Sequence, residues 1–522
     1  MTWEPTRRTL LQGAALTGSA ALIGIGAMAR GAWANGQPFS LGVASGEPVP
    51  DGMVLWTRLA PAPLAPDGGM GQRRVPVRCE IAEDAQFKRV RSGMTMALPE
   101  HGHAVHVEVS GLRPDRVYWY RFIAEGGVSP VGRTRTAPAP GAVVDRLRLA
   151  FASCQKYEVG FYAAWRHMVA DDPDLIFFLG DYIYEGDPTD KGVRRHKNLE
   201  PKDVAGYRVR YASYKTDPLL QAAHHAAPWI VTWDDHEVAN NYAANLDEHD
   251  GDIAKFMRRR AAAYQVYWEH MPLRASARPS GADMRLYRTV DWGALAQFQV
   301  IDDRQYRSRP ACQPPGTFEQ HRDAITLRPE CAERHDPARS ILGAQQEHWL
   351  MGRLGATRAQ WNMLTQQTLM MPYRRIDPEH ADLGPSVYNQ DGWEGYPATR
   401  ERIIRQWRDA KTPNPVILSG DIHAFVAADH VDPDDAKRIV AAEFVGGSIT
   451  SLNHDATLKP GMARNPNFRF AENEVRGYGR ADVTRARCDV AFRGLADATD
   501  EQSGVRDLAR FTVESGRTGI QT

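Results

Sequence analysis

Short apolar runs recur through the chain after residue 145, and each closes on a polar cluster. Residues 147–152 lead into Ser153-Cys154, and Leu175-Ile176-Phe177-Phe178-Leu179 leads into Gly180-Asp181. Trp229-Ile230-Val231-Thr232-Trp233 leads into Asp234-Asp235-His236-Glu237. Residues 295–301 lead into Asp302-Asp303-Arg304, and Val416-Ile417-Leu418 leads into Ser419-Gly420-Asp421-Ile422-His423. Runs this short and this apolar predict buried strands. Helical stretches such as residues 162–169 and 253–268 lie between them, and that alternation predicts α/β layers. Sites in layered α/β folds gather where strands end. One polar ending would be ordinary loop chemistry, whereas five in one domain predict a shared site.

The first part of the chain has a different texture. Val54-Leu55-Trp56 and Val105-His106-Val107-Glu108-Val109 are β-forming runs. Leu112-Arg113-Pro114 feeds an alternating Tyr118/Tyr120/Phe122 segment, which resembles the strand-F corner of a fibronectin-type sandwich. Ala137-Pro138-Ala139-Pro140-Gly141 reads as a linker. The expected division is a leader at 1–34, an all-β domain at 35–136, a linker at 137–145 and an α/β catalytic domain at 146–522.

The leader is read from Arg7-Arg8, an uncharged Ala/Gly-rich stretch at 9–29, and Ala32-Trp33-Ala34 as a small-x-small cleavage site. It resembles a twin-arginine export signal, so the expected partner is that export machinery and the expected location periplasmic or secreted. No stable membrane span is expected after cleavage. Mean hydropathy is −0.48. Lys+Arg and Asp+Glu both number 64, which leaves no basic surplus for nucleic-acid-specific binding. Five cysteines are too few for a disulfide scaffold. Cys312 and Cys331 bracket one loop, where a disulfide in an oxidising compartment and two free thiols are equally open readings, and Cys79 and Cys488 read as buried or loop residues rather than ligands. Residues 207–214, with Lys215, read either as a basic-aromatic face or as an amphipathic helix with solvated charges.

The strand ends suggest metal chemistry. Gly180-Asp181-x-x-Tyr184 sets a carboxylate and a phenol one turn apart. A phenol with a pKa near ~10 ligates only a strong Lewis acid, and Fe(III) is the natural one. The same spacing also suits a core Tyr bonded to backbone. Cys154 is either a small buried hydrophobe or a thiolate ligand for a transition metal. Asp235 belongs to an acidic turn, and Asp421-x-His423 puts two ligand types on one side of an extended segment.

Together these motifs resemble the PhoD family of alkaline phosphatases, within the calcineurin-like and purple-acid-phosphatase type of metallophosphoesterase. The resemblance rests on Phe151-Ala152-Ser153-Cys154-Gln155, Gly180-Asp181-Tyr182-Ile183-Tyr184-Glu185-Gly186, Trp233-Asp234-Asp235-His236-Glu237 with Asn240-Asn241, Asp303-Arg304-Gln305-Tyr306-Arg307, and Ser419-Gly420-Asp421-Ile422-His423. Gly42-Val43-Ala44-Ser45-Gly46 and Leu55-Trp56-Thr57-Arg58 look like that family's N-terminal domain. The resemblance implies a four-layer αββα catalytic domain behind a fibronectin-III-like sandwich. It implies two metal positions bridged by Asp181. Cys154, Asp181, Tyr184 and His423 would hold Fe3+. Asp235 and Asp421 would face Ca2+, and the loop aligns with either Asp234 or Asp235 as the ligand.

The implied reaction is attack of a metal-bound hydroxide on a phosphate monoester or diester, with a phospholipase-D-like diesterase as the variant. Substrates would be small phosphate esters, phosphodiester polymers or lipid head groups. Asn241 and Arg304, the latter bidentately, are expected to contact phosphate oxygens. His236 is expected either to protonate the leaving group or to serve as a structural histidine. No Gly-x-Ser-x-Gly elbow supports a serine hydrolase. An exported adhesion module would have no need of paired carboxylates beside Cys, Tyr and His.

Overall fold

The computed structural model describes residues 37–249, 251–375 and 386–521; the expected leader and its cleavage site lie outside the described residues. Two large sheets stack face to face. The first has three parallel strands at its centre, Arg146–Ala152, Leu175–Leu179 and Trp229–Thr232, with Phe177 opposite both Phe151 and Ile230. The second is built on the parallel strands Ala296–Val300, Trp361–Thr365, Pro415–Ser419 and Asp435–Gly446.

The continuous apolar runs now have a cause, because both faces of each central strand are covered. Along Leu175–Leu179 the odd-numbered residues face the other sheet and pack with Phe298, Met363, Leu418 and Phe444. The even-numbered Ile176 and Phe178 pack instead with Trp165, Tyr207, Tyr211 and Tyr264 of the covering helices. Helices Ala163–Ala170, Val204–Lys215, Pro218–Ala226 and Ile253–His270 form that outer layer. Gly343–Ala356 and Pro397–Asp409 cover the second sheet through Leu350, Leu354, Ile403 and Trp407. The result is an αββα stack. Each buried Leu, Ile, Val or Phe contributes about 1.5–3 kcal/mol, so the strand ends project from a rigid frame.

The N-terminal part is a β-sandwich. Its outer sheet contains Val75–Ala82, Val90–Ala97, Val117–Ala124, Gly127–Val128 and Gly132–Arg135. Val77, Tyr120 and Phe122 from that sheet pack on Val43, Leu55 and Val107. The Tyr118 hydroxyl accepts the Arg113 amide at 2.9 Å, closing the corner expected from Leu-x-Pro. The inner sheet (Val43–Val49, Gly52–Arg58 and Ala104–Val109) is also the edge of the catalytic domain's first sheet. Gly46 pairs with Trp229 at this join. A Cβ there would lie 2.6 Å from the Pro272 carbonyl, so only glycine allows the approach.

The charges expected to be solvated on residues 207–215 are a correction. Arg210 and Lys215 are buried, and Arg208 pairs with the buried Glu269 at 2.7 Å. Arg210 donates to the carbonyls of Asn198, Leu199 and Gly186, so it ties the loop after Tyr184 to its helix. Cys312 and Cys331 are disulfide-bonded, and Cys79 and Cys488 are buried. Among the described residues no helix is long and apolar enough to cross a membrane.

Candidate metal centre

All five predicted strand ends converge at one edge of the stacked sheets. Five site residues there adopt the left-handed backbone conformation that non-glycine residues usually avoid: Cys154, Asp181, Asn241, Asp421 and His423, with φ between 52° and 63°. The backbone hydrogen bonds explain how it is held. Cys154 N–H donates to the Gly180 carbonyl and Gln155 N–H to the Asp181 carbonyl, both at 3.1 Å, which stitches two strand ends together. The Glu237 carboxylate accepts the amides of Asp181, Tyr182 and Asp234 at 3.1, 2.5 and 2.9 Å. Gly180 has φ +108°, and an added Cβ would collide with Asp234.

The ligand-type groups fall into two clusters. Cys154, Asp181 and His423 offer atoms within 4.8 Å of one another, and so do Asp181, Asp235 and His236. Asp181 belongs to both. Tyr184 joins the first cluster: its hydroxyl lies 2.6 Å from Asp181 Oδ2, 2.9 Å from His423 Nε2 and 2.8 Å from the donating Ser451 hydroxyl. His423 Nδ1 donates to the Leu452 carbonyl at 2.9 Å, which leaves the Nε2 lone pair facing the cluster. Burial drops its pKa to about 3, so the ring is neutral, as a ligand must be.

The second cluster is more acidic. Asp235 accepts the His236 amide at 2.8 Å and the Asn241 amide at 2.7 Å. Burial opposes its charge, but His236 and Arg304 hold the carboxyl below its usual range. His236 Nδ1 lies 2.6 Å from Glu185 Oε2. Burial disfavours the imidazolium, yet Glu185, Asp235 and Asp181 push its pKa well above the ordinary value. Asn241 donates from Nδ2 to Glu248 at 2.7 Å. Asp421 sits at the rim, with Oδ1 3.6 Å from Arg304 Nη2.

Arg304 departs from expectation. It is wholly buried, its Nε bonds Asp234, and its Nη1 bonds both oxygens of Asp391 at 2.7 and 2.8 Å. Only Nη2 has no hydrogen bond, and it lies 3.6 Å from Asp421 Oδ1 and 4.0 Å from Asp235 Oδ2, so two carboxylates already face the nitrogen that a phosphate would have to reach. Its guanidinium instead neutralises the acidic edge. The same contact separates the two aspartates of the loop: Asp234 faces Arg304, while Asp235 faces Asp181 and His236.

Sequence reasoning gave no role to Glu185 and Glu237, although both lie inside the quoted motifs. Asp391 and Ser451 lie in unremarkable turns far along the chain and carried no signal.

The donor set fits a cation. Burial, then the neighbouring carboxylates, raise the pKa of Asp181 despite the nearby His236. Burial and then Asp181 raise Cys154 and Tyr184. Asp181 Oδ1 is buried and has no hydrogen-bond partner, and neither has Asp234 Oδ2. Acids crowded this way with an orphaned oxygen lack positive charge, which a bound metal supplies.

The comparisons with known proteins point the same way. A family profile described as PhoD-like phosphatase matches residues 149–492, and one described as PhoD-like phosphatase, N-terminal domain, matches residues 26–138. Alkaline phosphatase D of Bacillus subtilis (strain 168) is 44% identical over 496 residues, covering 93% of this chain and 82% of that protein. A solved structure described as "Structure of PhoD" superposes with a TM-score of 0.86 at 43% identity, over 93% of this chain and 92% of that one. Both parts of the fold and the full run of strand-end motifs fall inside these matches, and the chain belongs to the PhoD-like phosphatase family.

Proposed function

We propose that this phosphatase is an exported hydrolase of phosphate monoesters and diesters, and that its centre binds one Fe(III) and Ca2+. The single observation that carries the reading is that Asp181 belongs to two ligand clusters of different chemistry. Cys154, Tyr184 and His423 give the first cluster thiolate, phenolate and imidazole, which suit Fe(III). Asp235 and the nearby Asp421, with Asp234 behind them, give the second an oxygen-rich character that suits Ca2+. When bound, such cations neutralise the ester's charge and acidify a coordinated water.

The protein's own groups do the rest. Asn241 is fixed by its amide bond to Asp235, and one N–H of its side-chain amide goes to Glu248. The second N–H remains for a phosphate oxygen. His236, kept charged by Glu185, donates a proton to the leaving alkoxide. Against its burial, Arg304 and Arg307 hold the Asp391 carboxyl below its usual range, while burial raises Asp234 in spite of Arg304, so one guanidinium ties both acids to the edge of the site.

Metal analysis of purified protein, with rates on matched monoester and diester substrates, tests this reading. One iron per chain, calcium-dependent turnover and hydrolysis of both ester types are expected. Full turnover after complete removal of both metals would sink it. For export, we propose a division at 34/35, 136/137 and 145/146 and a mature N-terminus at Asn35. Replacing Arg7 and Arg8 with Lys should stop export, and unchanged export of that variant would exclude the twin-arginine route.

A further inference from the structure

Asn241, whose second side-chain N–H is left for a phosphate oxygen, is held at three atoms by three different segments. Its amide bonds Asp235, its side chain bonds Glu248, and its carbonyl accepts Arg307 Nη2 at 2.8 Å. Arg307 is buried. Its Nη2 also donates to the Tyr242 carbonyl at 2.7 Å and to Asp391 Oδ1 at 2.6 Å, and its Nη1 donates to the Asp391 carbonyl. Asp391 therefore aims Arg307, and Arg307 anchors the backbone of Asn241 and of the residue after it. Glu248 is shared as well, because its other oxygen accepts Asn240 Nδ2 at 2.5 Å.

Both supports lead to one surface loop. Ala324 N–H donates to the Glu248 carbonyl at 3.1 Å, and Gln390 N–H donates to the Thr326 carbonyl at 2.7 Å. The short strand Leu327–Pro329 pairs antiparallel with Val387–Asn389, and Asn389 Oδ1 accepts the Asp391 amide at 2.9 Å. All the loop residues in these contacts lie between Cys312 and Cys331, the ends of a disulfide 19 positions apart. Gln313, next to the first cysteine, grips the loop from inside: its Nε2 donates to the Ile325 carbonyl and its Oε1 accepts the Ile325 amide, both at 2.8 Å. Among the described residues, no side chain between the two cysteines belongs to a hydrophobic cluster of the core. A segment that buries so little apolar surface opens locally unless it is restrained, and the cross-link supplies the restraint.

We propose that the loop closed by Cys312 and Cys331 is a positioning element for Asn241, acting through Glu248 on its side chain and through Asp391 and Arg307 on its carbonyl. It rests on the reading that Asn241 contacts the phosphate of a reacting ester. Opening the ring frees residues 324–326, and the N–H of Asn241 then no longer meets the phosphate oxygen. A misplacement of about 1 Å in such a group lowers a rate by about 100-fold. Cys154, Asp181, Tyr184 and His423 are held by other segments, so the metals stay when the clamp is open.

The experiment uses the full-length, metal-loaded enzyme with 4-nitrophenyl phosphate. Cys312→Ser with Cys331→Ser is made alone and on Asn241→Ala. Alone, the double variant should keep its metal content and lose roughly 10- to 100-fold in kcat/KM. On Asn241→Ala it should cost nothing further, because the group it positions is already gone. If the double variant does not fold, Ala324→Pro decides by the same cycle, since it deletes only the N–H given to Glu248 from a half-buried loop position. Equal losses in the two backgrounds, loss of metal, or a folded double variant with wild-type kcat/KM would overturn the clamp and leave the phosphatase reading standing. A wild type without turnover, or Asn241→Ala at full rate, would overturn the reading of the site and the clamp with it.

Discussion

The Tyr184 hydroxyl donates a 2.6 Å hydrogen bond to Asp181 Oδ2, although the two residues are only three apart in the chain. The left-handed turn at Asp181, φ 58°, brings them together. It folds the chain back on itself where an extended continuation would carry the phenol away. The thiol, carboxylate, phenol and imidazole are thus gathered within a few ångströms of one strand edge.

Tyr184→Phe isolates the phenol's role. The iron-loaded wild type should have a visible phenolate-to-Fe(III) absorption, and the variant should lack it because among the described residues no other tyrosine hydroxyl is hydrogen-bonded to Asp181 and His423. A visible spectrum of each protein at equal iron content checks this. A full band in the variant would remove Tyr184 from the ligand set.

Asp181→Asn keeps the shape and deletes the charge shared by both clusters. Metal content and kcat should both collapse, by more than the ~10–100-fold typical of residues that only orient ligands. Asn241→Ala should keep its metals and lose turnover. The paired measurement of metal per chain and kcat decides the matter; retention of both metals and near-normal rate in Asp181→Asn would refute the shared role.

Arg304→Met leaves Asp234 and Asp391 buried without their cation. Breaking a buried pair costs about 3–5 kcal/mol, so the main effect should be a large loss of stability. Urea denaturation measures it. An unchanged midpoint with a raised KM would instead restore Arg304 as a phosphate contact.

Lys215 predicts a dependence of stability on pH. Its ammonium is buried between the rings of Trp56 and Tyr182, at 4.4 and 5.2 Å, with His224 Nε2 at 3.4 Å. Burial pulls its pKa from 10.5 down to about 7. Between those values the unfolded chain binds more protons than the folded one, so stability rises with pH across that window, by at most ~1.4 kcal/mol per pH unit from this group. Lys215→Met should flatten the rise. Denaturation midpoints at pH 7 and pH 10 compare the two proteins, and equal slopes would exclude the effect.

The sequence by itself determined the frame. Apolar runs buried on both faces leave no alternative to a central strand, so Leu175–Leu179 and Trp229–Thr232 could be read from hydrophobicity alone. The ligand types could be read too, because Cys154, Asp181, Tyr184 and Asp421-x-His423 stand at the ends of those runs. Only the tertiary structure decided which partners they meet. Asp234 and Asp235 are neighbours of identical chemistry, and what distinguishes them is Arg304, seventy positions away, which claims one of them. Arg304 is itself oriented by Asp391, from a turn with no pattern of its own. Lys215 looked solvated because helical periodicity says nothing of a second sheet edge, and here the N-terminal strands bring Trp56 over it. Local pattern fixes which groups reach the end of a strand. Charge pairing between distant segments fixes what each group does there, because Coulomb energy in a buried site depends on distance in space and not along the chain.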